Sequence, residues 1–204
     1  MSAGLTIAAC SSSGTTASTG SDNVASLQQA VTNTISAPSY SEVLNQTTPR
    51  GKQIDYLKYQ APDRLGGYIQ SGTKRVYVYV IGKTQYQSQS VPNNAPTKQL
   101  TFHSQASQGA TALDPVQGYL PYASQSKHPT RSGDSYSFTL TKQGQTGTFT
   151  YTVNGQHVSK FTLTVPSSSV QLDISAIGTS PPVSLPAGSK VSPSSSVPTT
   201  APSP

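Results

Sequence analysis

The sequence predicts an α+β domain in which about eight strands form an antiparallel sheet and two helices accompany it. The strongest observation is the segment 74–81, where β-branched and aromatic residues alternate with period two. Both sets of alternate positions are apolar. One set is Val76, Val78 and Val80, and the other is Tyr77, Tyr79 and Ile81. The other two observations are similar short runs joined by turn residues, and two segments with helical spacing.

A strand that is apolar on both sides cannot expose either face to bulk water. Gly82 and Lys83 offer a tight reversal after it, and Tyr86 is the apolar residue of the hairpin partner that follows. We therefore expect a central strand with one face on the core of the domain. The other face must be covered by helices or must line a cavity.

The first helix is predicted over residues 23–35, where apolar residues recur at spacings of three and four. Asp22 or Asn23 can cap its start, and Pro38 ends it because proline lacks a backbone donor. A second helix is predicted to open at Asp114 and Pro115, with Asp as the cap. Pro121 lies within its apolar stripe, so we expect a short or kinked helix.

The remaining strands are short and separated by turn residues, as antiparallel meanders require. They are predicted at residues 40–46, 53–60, 65–70, 84–87, 135–141, 148–153, 157–165 and 170–174. Between residues 91 and 112 the alternation is lost. Asn154 and Gly155 form the strongest hairpin signal. A two-residue turn would pair Tyr151 with Val158, whereas a three-residue loop would align Phe149 with Phe161, and the sequence leaves this register open.

Cys10 is the only cysteine and follows a short apolar run that begins at Leu5. The segment Ile7-Ala8-Ala9-Cys10 resembles a bacterial lipobox, in which the thiol is acylated and the chain is cut just before it. We expect Cys10 to be a lipidation site and residues 1–10 to be the remnant of a signal peptide. Nine residues precede Cys10 and none is Lys or Arg, so we expect a start that is truncated or was placed downstream.

Composition divides the rest of the chain into three regions. Residues 11–22 are rich in Ser, Thr and Gly and are predicted to be a flexible tether. Residues 23–187 form the predicted β domain. Residues 188–204 are rich in Ser and Pro and are predicted to be disordered, because they have almost nothing to bury.

The chain is basic, with 13 Lys and Arg against 7 Asp and Glu, and seven of the basic residues lie between Arg50 and Lys83. This excess favours attraction to anionic lipid headgroups or wall polymers, although an ordinary charged sheet surface explains it equally. No Lys/Arg-rich run or recognition-helix pattern is present, so we do not expect a nucleic-acid partner.

Signs of catalysis are missing from the sequence. The histidines, His103, His128 and His157, lack the local spacing of metal ligands. No Gly-x-Ser-x-Gly elbow, phosphate-cradling loop or paired-carboxylate pattern occurs. We therefore expect no catalytic residue, no metal, no cofactor and no enzymatic activity.

Several segments, in this order, resemble the LppX/LprG-type lipoproteins of actinobacteria, which share a fold with the carrier LolA. The segments, which follow the lipobox at Cys10 and a short helix, are Gln60-Ala61-Pro62-Asp63-Arg64, Val80-Ile81-Gly82-Lys83-Thr84-Gln85-Tyr86, Leu113-Asp114-Pro115, Asp134-Ser135-Tyr136-Ser137-Phe138, Asp173-Ile174-Ser175-Ala176-Ile177-Gly178, and Pro182-Val183 to Leu185-Pro186. The resemblance covers residues 23–187. It implies a curved antiparallel half-barrel, LolA-like, with helices on its concave side.

The resemblance also implies a function: a monomeric, non-enzymatic lipoprotein that binds the acyl chains of a lipid or glycolipid as a carrier. The acyl chains would enter the concave face of the sheet, which the helices cover. The lipoprotein would be anchored through Cys10 at the outer face of the cytoplasmic membrane, with an envelope protein as a further partner. The candidate cavity residues are Tyr56, Val76, Val78, Val80 and Tyr86 on one face, Leu57, Tyr77, Tyr79 and Ile81 on the other, and Phe138, Phe149 and Tyr151 in the later strands. Two alternatives are an interaction or sensing module with a packed interior, and a binder of wall polymers through residues 50–83.

Overall fold

The computed structural model describes residues 20–97 and 100–193, which contain two α-helices and thirteen strands. The helices are α1 (Gly20–Ile35) and α2 (Pro115–Tyr119), with 3₁₀ turns at Ala110–Ala112 and Leu120–Gln125. The strands are β1 (Ser39–Thr48), β2 (Gly51–Gln60), β3 (Arg64–Ser71), β4 (Lys74–Ile81), β5 (Thr84–Ser88), β6 (Val91–Pro92), β7 (Thr101–Ala106), β8 (Thr130–Ser132), β9 (Ser135–Lys142), β10 (Gln145–Asn154), β11 (His157–Val165), β12 (Ser168–Ser175) and β13 (Lys190–Pro193).

These strands form a single open sheet in the order β13-β7-β5-β4-β3-β2-β1-β12-β11-β10-β9-β8, with β6 beside β4. All pairs are antiparallel except β13 with β7. The predicted α+β class and the antiparallel sheet are therefore confirmed. The predicted count of about eight strands is wrong, because β6, β7, β8 and β13 lack the apolar alternation by which a strand is recognised in a sequence.

The pairing register divides the side chains of the central strands between two faces. Tyr40, Tyr59, Leu65 and Val80 are direct neighbours across β1 to β4, and they share the face that we call the helix face. Val43, Tyr56, Tyr68 and Tyr77 are direct neighbours across the same strands on the opposite side, which we call the outer face.

The main core lies between the helices and the helix face. From α1, Leu27, Ala30 and Val31 are buried, and from the second helical region Val116, Leu120 and Ala123 are buried. They pack with sheet residues that include Tyr40, Leu44, Leu57, Tyr151, Phe161 and Leu172. Leu27 and Leu120 are fully buried, and each such side chain stabilises the fold by about 1.5–3 kcal/mol.

The second helix has the capping and the short length that the sequence predicts. The Oδ1 atom of Asp114 accepts a hydrogen bond of 2.8 Å from the backbone N–H of Val116, and Pro115 occupies the first helical turn. The α-helix ends at Tyr119 and continues as a 3₁₀ turn that contains Pro121. The predicted interruption at this proline is confirmed.

The β10–β11 hairpin adopts neither of the two registers that the sequence left open. Asn154 pairs with His157, and a bulge near Thr152 then shifts the register by one residue. As a result Tyr151 lies opposite Phe161. The bulge keeps both aromatic residues on the buried helix face, which a strict two-residue turn would not do.

The chain after β12 returns along the outer face of the sheet. Its first contact is the backbone hydrogen bond of 2.7 Å from Gly178 N to Ser39 O, and β13 later pairs in parallel with β7. We call residues 181–186 of this segment the strap. β13 lies within the region 188–204 that composition predicts to be disordered, and it joins the sheet through backbone pairing, which needs no apolar side chains.

Candidate functional site

The outer face carries a cleft of about 380 Å³ between the central strands and the strap. β1, β2, β3 and β4 form its floor. Its lining residues are Ser41, Glu42, Val43, Tyr56, Leu57, Lys58, Gly66, Gly67, Tyr68, Tyr79, Pro182, Val183 and Ser184. Aromatic and aliphatic side chains dominate this set, so the cleft is suited to an apolar ligand.

The aromatic floor of the cleft is held by ring contacts across neighbouring strands. Tyr56 stacks on Tyr68 with ring centroids 4.7 Å apart, and Tyr68 meets Tyr77 at 5.7 Å. The guanidinium of Arg75 lies 5.3 Å from the Tyr68 ring and 5.2 Å from the Tyr77 ring. At the other side of the floor, Tyr79 contacts Phe102 edge-on at 5.6 Å. Tyr56 is 37% exposed, so one ring of this row remains open to a ligand.

The strap is fixed over the cleft at Val183, which is 3% exposed. The backbone N–H of Val183 donates to Gln60 Oε1 at 3.0 Å, and Arg64 Nη1 donates to the Val183 carbonyl at 3.1 Å. Gly66 makes this contact possible, because a Cβ there would lie 2.4 Å from the Tyr79 ring and 2.8 Å from Val183 Cγ1. Glycine in this strand thus lets the strap and a tyrosine approach the backbone closely.

The polar groups of the cleft are few and lie at its margin. Lys58 is exposed on the outer face of β2, next to Ser41 across the β1–β2 pair. Among the described residues, the ion pair that forms joins Lys160 Nζ to Asp173 Oδ1 at 3.7 Å. Lys58 takes no part in it, so its ammonium group remains available to an anionic group. Apolar walls with one cation at the rim can accept a molecule that has an apolar body and an anionic head.

The helix face carries buried carboxyl groups beneath α2. Glu42 is 2% exposed, and neither of its carboxyl oxygens has a hydrogen-bond partner among the described residues. The Tyr40 hydroxyl donates to Asp114 Oδ2 beside it. Burial raises the pKa of Glu42 well above its ordinary value, and the charge of Asp114 raises it further. Burial likewise raises the pKa of Asp114 to about 6.

A second cleft, of about 430 Å³, opens at the rim of the helix face where β9, β10 and β11 extend beyond the helical segments. Its apolar lining comes from Tyr122, Leu140, Phe149, Leu163 and Val165. Several polar side chains share it, among them Lys142 and Gln145. It is therefore less uniformly apolar than the outer-face cleft.

The register assigns the candidate residues of the central strands to definite faces. On the helix face lie Leu57, Val76, Val78 and Val80, and on the outer face lie Tyr56, Tyr77, Tyr79, Ile81 and Tyr86. The predicted grouping of Tyr56 and Tyr86 with the valines is wrong. Tyr56 is joined through Tyr68 to Tyr77, and Tyr86 pairs with Tyr79. Of these residues, Tyr56 and Tyr79 line the outer-face cleft with side chains of that face. Leu57 also borders the cleft, although its side chain lies on the helix face.

The candidates of the later strands lie in the main core. Phe138 stacks on Phe149 at 5.2 Å, and Tyr151 contacts Phe161 at 5.0 Å. The Tyr151 hydroxyl donates to the Leu120 carbonyl at 3.4 Å, which ties it to the helical layer. Phe149 alone of the three predicted residues borders a cleft, the one at the rim of the helix face.

Several cleft residues were not predicted from the sequence, namely Ser41, Val43, Lys58, Gly66 and Val183. Tyr68 was also missed, although its place in a predicted strand was available as a signal. Gly66 and Gly67 form a glycine pair within a predicted strand, and such a pair indicates close approach of other groups. Val183 belongs to a segment that carries the resemblance, but its position over β3 depends on the path of the returning chain, which has no local signal.

Cys10 lies outside the described residues. Among the residues that the structure describes, no group of His, Cys, Asp and Glu side chains is arranged to hold a metal ion. Within the same residues, no helix has the length and apolar character needed to cross a membrane.

The fold was compared with known proteins. No family model matches the sequence, and no curated protein matches it. The structure is similar to that of LprF from Mycobacterium bovis, with a TM-score of 0.52 and 15% identity over 82% of this chain and 97% of LprF. It is also similar to the Mycobacterium tuberculosis lipoprotein LppX, with a TM-score of 0.50 and 15% identity over 80% of this chain and 98% of LppX.

This chain has the fold of LprF and LppX. The resemblance to LppX/LprG-type lipoproteins that the sequence segments indicate is thereby confirmed for the fold. At 15% identity the similarity carries no information on individual site residues. This chain therefore shares its scaffold with LppX, and its functional site is defined by its own clefts.

Proposed function

We propose that this protein is a non-enzymatic lipoprotein of the cell envelope that binds the acyl part of a lipid or glycolipid in the outer-face cleft. The observation that carries the proposal is the cleft itself. Its volume of about 380 Å³ falls within the range of about 300–1,000 Å³ that ligand pockets occupy. It lies on the face that the main core leaves free.

The chemistry of the cleft fits an acyl chain. Val43, Tyr56, Tyr79 and Val183 offer apolar contacts along its length. Each methylene group that is transferred from water to such a surface contributes about 0.8 kcal/mol. Lys58 at the rim can pair with the anionic head of the same molecule. The similarity of the fold to the lipoprotein LppX adds support at a coarse level.

The proposal includes the anchoring and the arrangement of the chain. Cys10 is the site of lipid attachment and residues 1–10 are the remnant of the signal peptide. The tether expected at residues 11–22 is shorter at its end than the sequence predicted, because α1 begins at Gly20. The domain, which runs from α1 to β13, is held at the outer face of the cytoplasmic membrane. We further propose that the protein acts as a monomeric carrier, that the sheet curves into a half-barrel with the helices on its concave side, and that an envelope protein is a partner.

Native mass spectrometry of the full chain with the C10S substitution tests the proposal, since any bound lipid is then a ligand and not the anchor. The protein is purified without detergent from a host that makes acyl lipids. We expect a mass increase equal to one lipid, which disappears after extraction with organic solvent. Protein that carries no lipid, and that takes up none from added fatty acid or phospholipid, would contradict the proposal.

A second candidate function is an interaction or sensing module, and the packed core favours it. Under the helices, large side chains such as Tyr40, Tyr151 and Phe161 are fully buried. An acyl chain therefore finds its space on the outer face, or at the rim cleft beside Phe149. If titration with acyl ligands leaves the mass unchanged while an envelope protein binds the chain, the second candidate replaces the first.

A further inference from the structure

Successive turns of an antiparallel meander alternate between the two ends of the sheet. The β1–β2, β3–β4, β9–β10 and β11–β12 turns therefore lie at the same end, together with the β6 loop. The turn between β1 and β2 carries Arg50 and Lys52, and the turn between β3 and β4 carries Lys74 and Arg75. These two turns are neighbours, since Gln53 pairs with Ser71 across β2 and β3. We call these four residues with their turns the basic end.

The basic end is exposed and has no acidic neighbour in the turns around it. Arg50, Lys52 and Lys74 are exposed. No Asp or Glu occurs in residues 47–53, 71–75, 91–95, 141–146 or 164–169, which form the described turns of this end. Lys142 begins the β9–β10 turn at the same end. The positive charge of these turns is therefore not compensated locally.

The acidic residues of the domain lie elsewhere. Glu42, Asp55 and Asp114 are buried. Asp63 lies in the β2–β3 turn and Asp134 in the turn between β8 and β9, both at the opposite end of the sheet. Asp22 lies in α1, and Asp173 lies in β12, where it pairs with Lys160. The opposite end also carries Arg64, Lys83 and Arg131, so the basic end differs from it in having cations with no acidic residue in the same or neighbouring turns.

A small polar depression joins the two turns of the basic end. It has a volume of about 170 Å³, and Arg50, Lys52, Gln53 and Ser71 are among its lining residues. The Thr48 hydroxyl accepts a hydrogen bond of 3.2 Å from the Arg50 N–H and orders the first turn. The Thr48 hydroxyl donates to the Gly51 carbonyl at 3.4 Å, and Gln53 Nε2 donates to Asp55 Oδ1 at 3.0 Å. The groups that can bind a phosphate oxygen in this hollow are therefore the Arg50 and Lys52 cations that flank it.

The second turn is ordered as well. Arg75 Nη2 donates to the Ala95 carbonyl at 2.9 Å, and Asn93 Nδ2 donates to the Gly72 carbonyl at 3.1 Å. These bonds fix the β6 loop beside the turn. The cations are therefore presented by a braced end of the sheet, and little conformational freedom is lost when they contact a charged surface.

We propose that the basic end docks on an anionic phospholipid surface, with a lipid phosphate seated in the depression between Arg50 and Lys52. Arg50, Lys52 and Lys74 are the exposed cations of this end, and Arg75, which is half-buried against Tyr68 and Tyr77, adds positive charge behind them. Clustered exposed cations are attracted to an anionic leaflet. The inference goes beyond the acyl cleft, since it rests on different residues and does not require a bound ligand. It also fits the chain length, because the ten residues from Cys10 to Gly20 span at most about 35 Å and keep the domain near a membrane that holds the anchor.

Co-sedimentation with vesicles tests the docking. The full chain with C10S is mixed with vesicles of phosphatidylcholine alone or with phosphatidylglycerol added to about one third, at about 0.1 M salt. We expect binding to the anionic vesicles only, with partition falling about fivefold for K52Q and about thirtyfold for R50Q/K52Q. K83Q is the matched control, because Lys83 is exposed in the β4–β5 turn at the opposite end. It should change partition less than twofold.

Three results would overturn the docking proposal. The first is equal loss of binding for K83Q and K52Q, which would show attraction by net charge alone. The second is equal binding to neutral and anionic vesicles. The third is retention on a lipid-free anionic wall polymer with no vesicle binding. Thermal unfolding of each variant, which we expect to match the parent, excludes loss of fold as the cause. Failure here leaves the lipid-uptake result unaffected, so the two proposals fail separately.

Discussion

At the residue scale, the burial of the Glu42 carboxyl could not be predicted from the sequence. Alternation in β1 predicts which positions share a face. Because a carboxyl group normally lies on the exposed face of a strand, the glutamate at position 42 indicates an outward position although its side chain points inward. In the structure Glu42 lies opposite Leu57, on the helix face and under α2, and its oxygens have no partner among the described residues. Such a group destabilises the fold when it ionises.

This arrangement predicts a pH-dependent stability. The folded protein keeps protons on Glu42 and Asp114 at pH values where the unfolded chain has released them, because burial raises the pKa of both groups. The free energy of unfolding therefore falls as pH rises from about 4, through the Asp114 pKa of about 6 and beyond. We expect the fall between pH 4 and pH 8 to be smaller in E42Q, because glutamine has no proton to release.

Urea denaturation at a series of pH values measures this difference. D173N serves as the control, because the Asp173 side chain is 42% exposed and pairs with Lys160. A pH slope for E42Q that equals the slope of the parent would contradict the assignment of Glu42 as a buried, proton-holding group.

At the element scale, the sequence predicts the strands well and their mutual faces less well. The two-sided apolar pattern of β4 correctly indicates a strand covered on both sides. Which residues of β4 lie on the same face as Tyr56 depends on the lengths of the turns between β2 and β4. One residue more or less in such a turn exchanges the two faces. The alternation within each strand is local, whereas the relation between strands is set by turn geometry and by the bulge near Thr152.

The path of the strap is the feature that composition predicts least well. This path over the outer face depends on three tertiary contacts of Val183: with Gln60, with Arg64 and with the surface that Gly66 leaves open. None of these contacts has a local sequence pattern. The resemblance places Pro182 and its neighbours at the close of the domain, and the fold uses them as one wall of a cleft.

G66A tests this contact between strand and strap. The added Cβ would meet the Tyr79 ring at 2.4 Å and Val183 at 2.8 Å, so one of them must move. We expect a loss of about 1–3 kcal/mol in the free energy of unfolding, together with faster proteolysis of the strap. G118A is the matched control, since a Cβ on Gly118 meets nothing within 4 Å. If G66A is as stable as G118A, the strap does not pack on β3 as described.

At the scale of the whole molecule, the sheet has two differently used faces. The helix face is filled by α1, α2 and their neighbours, while the outer face holds a smaller cluster around Tyr77, Leu100 and Phe102 and leaves a cleft beside it. The resemblance of the sequence segments led to the correct fold. It also implied that the ligand enters beneath the helices, whereas in the structure that space is packed and the cleft lies on the outer face, where the returning chain forms one wall.

The central claim is that an acyl chain occupies the outer-face cleft, and binding of a fluorescent fatty acid to a cleft-filling variant tests it most directly. V43F fills the cleft from β1, whereas I54F adds a similar ring on the same face of β2 outside the cleft lining. We predict that V43F weakens the affinity at least about tenfold, or about 1.4 kcal/mol, and that I54F matches the parent. Equal affinity of V43F, I54F and the parent would contradict the claim.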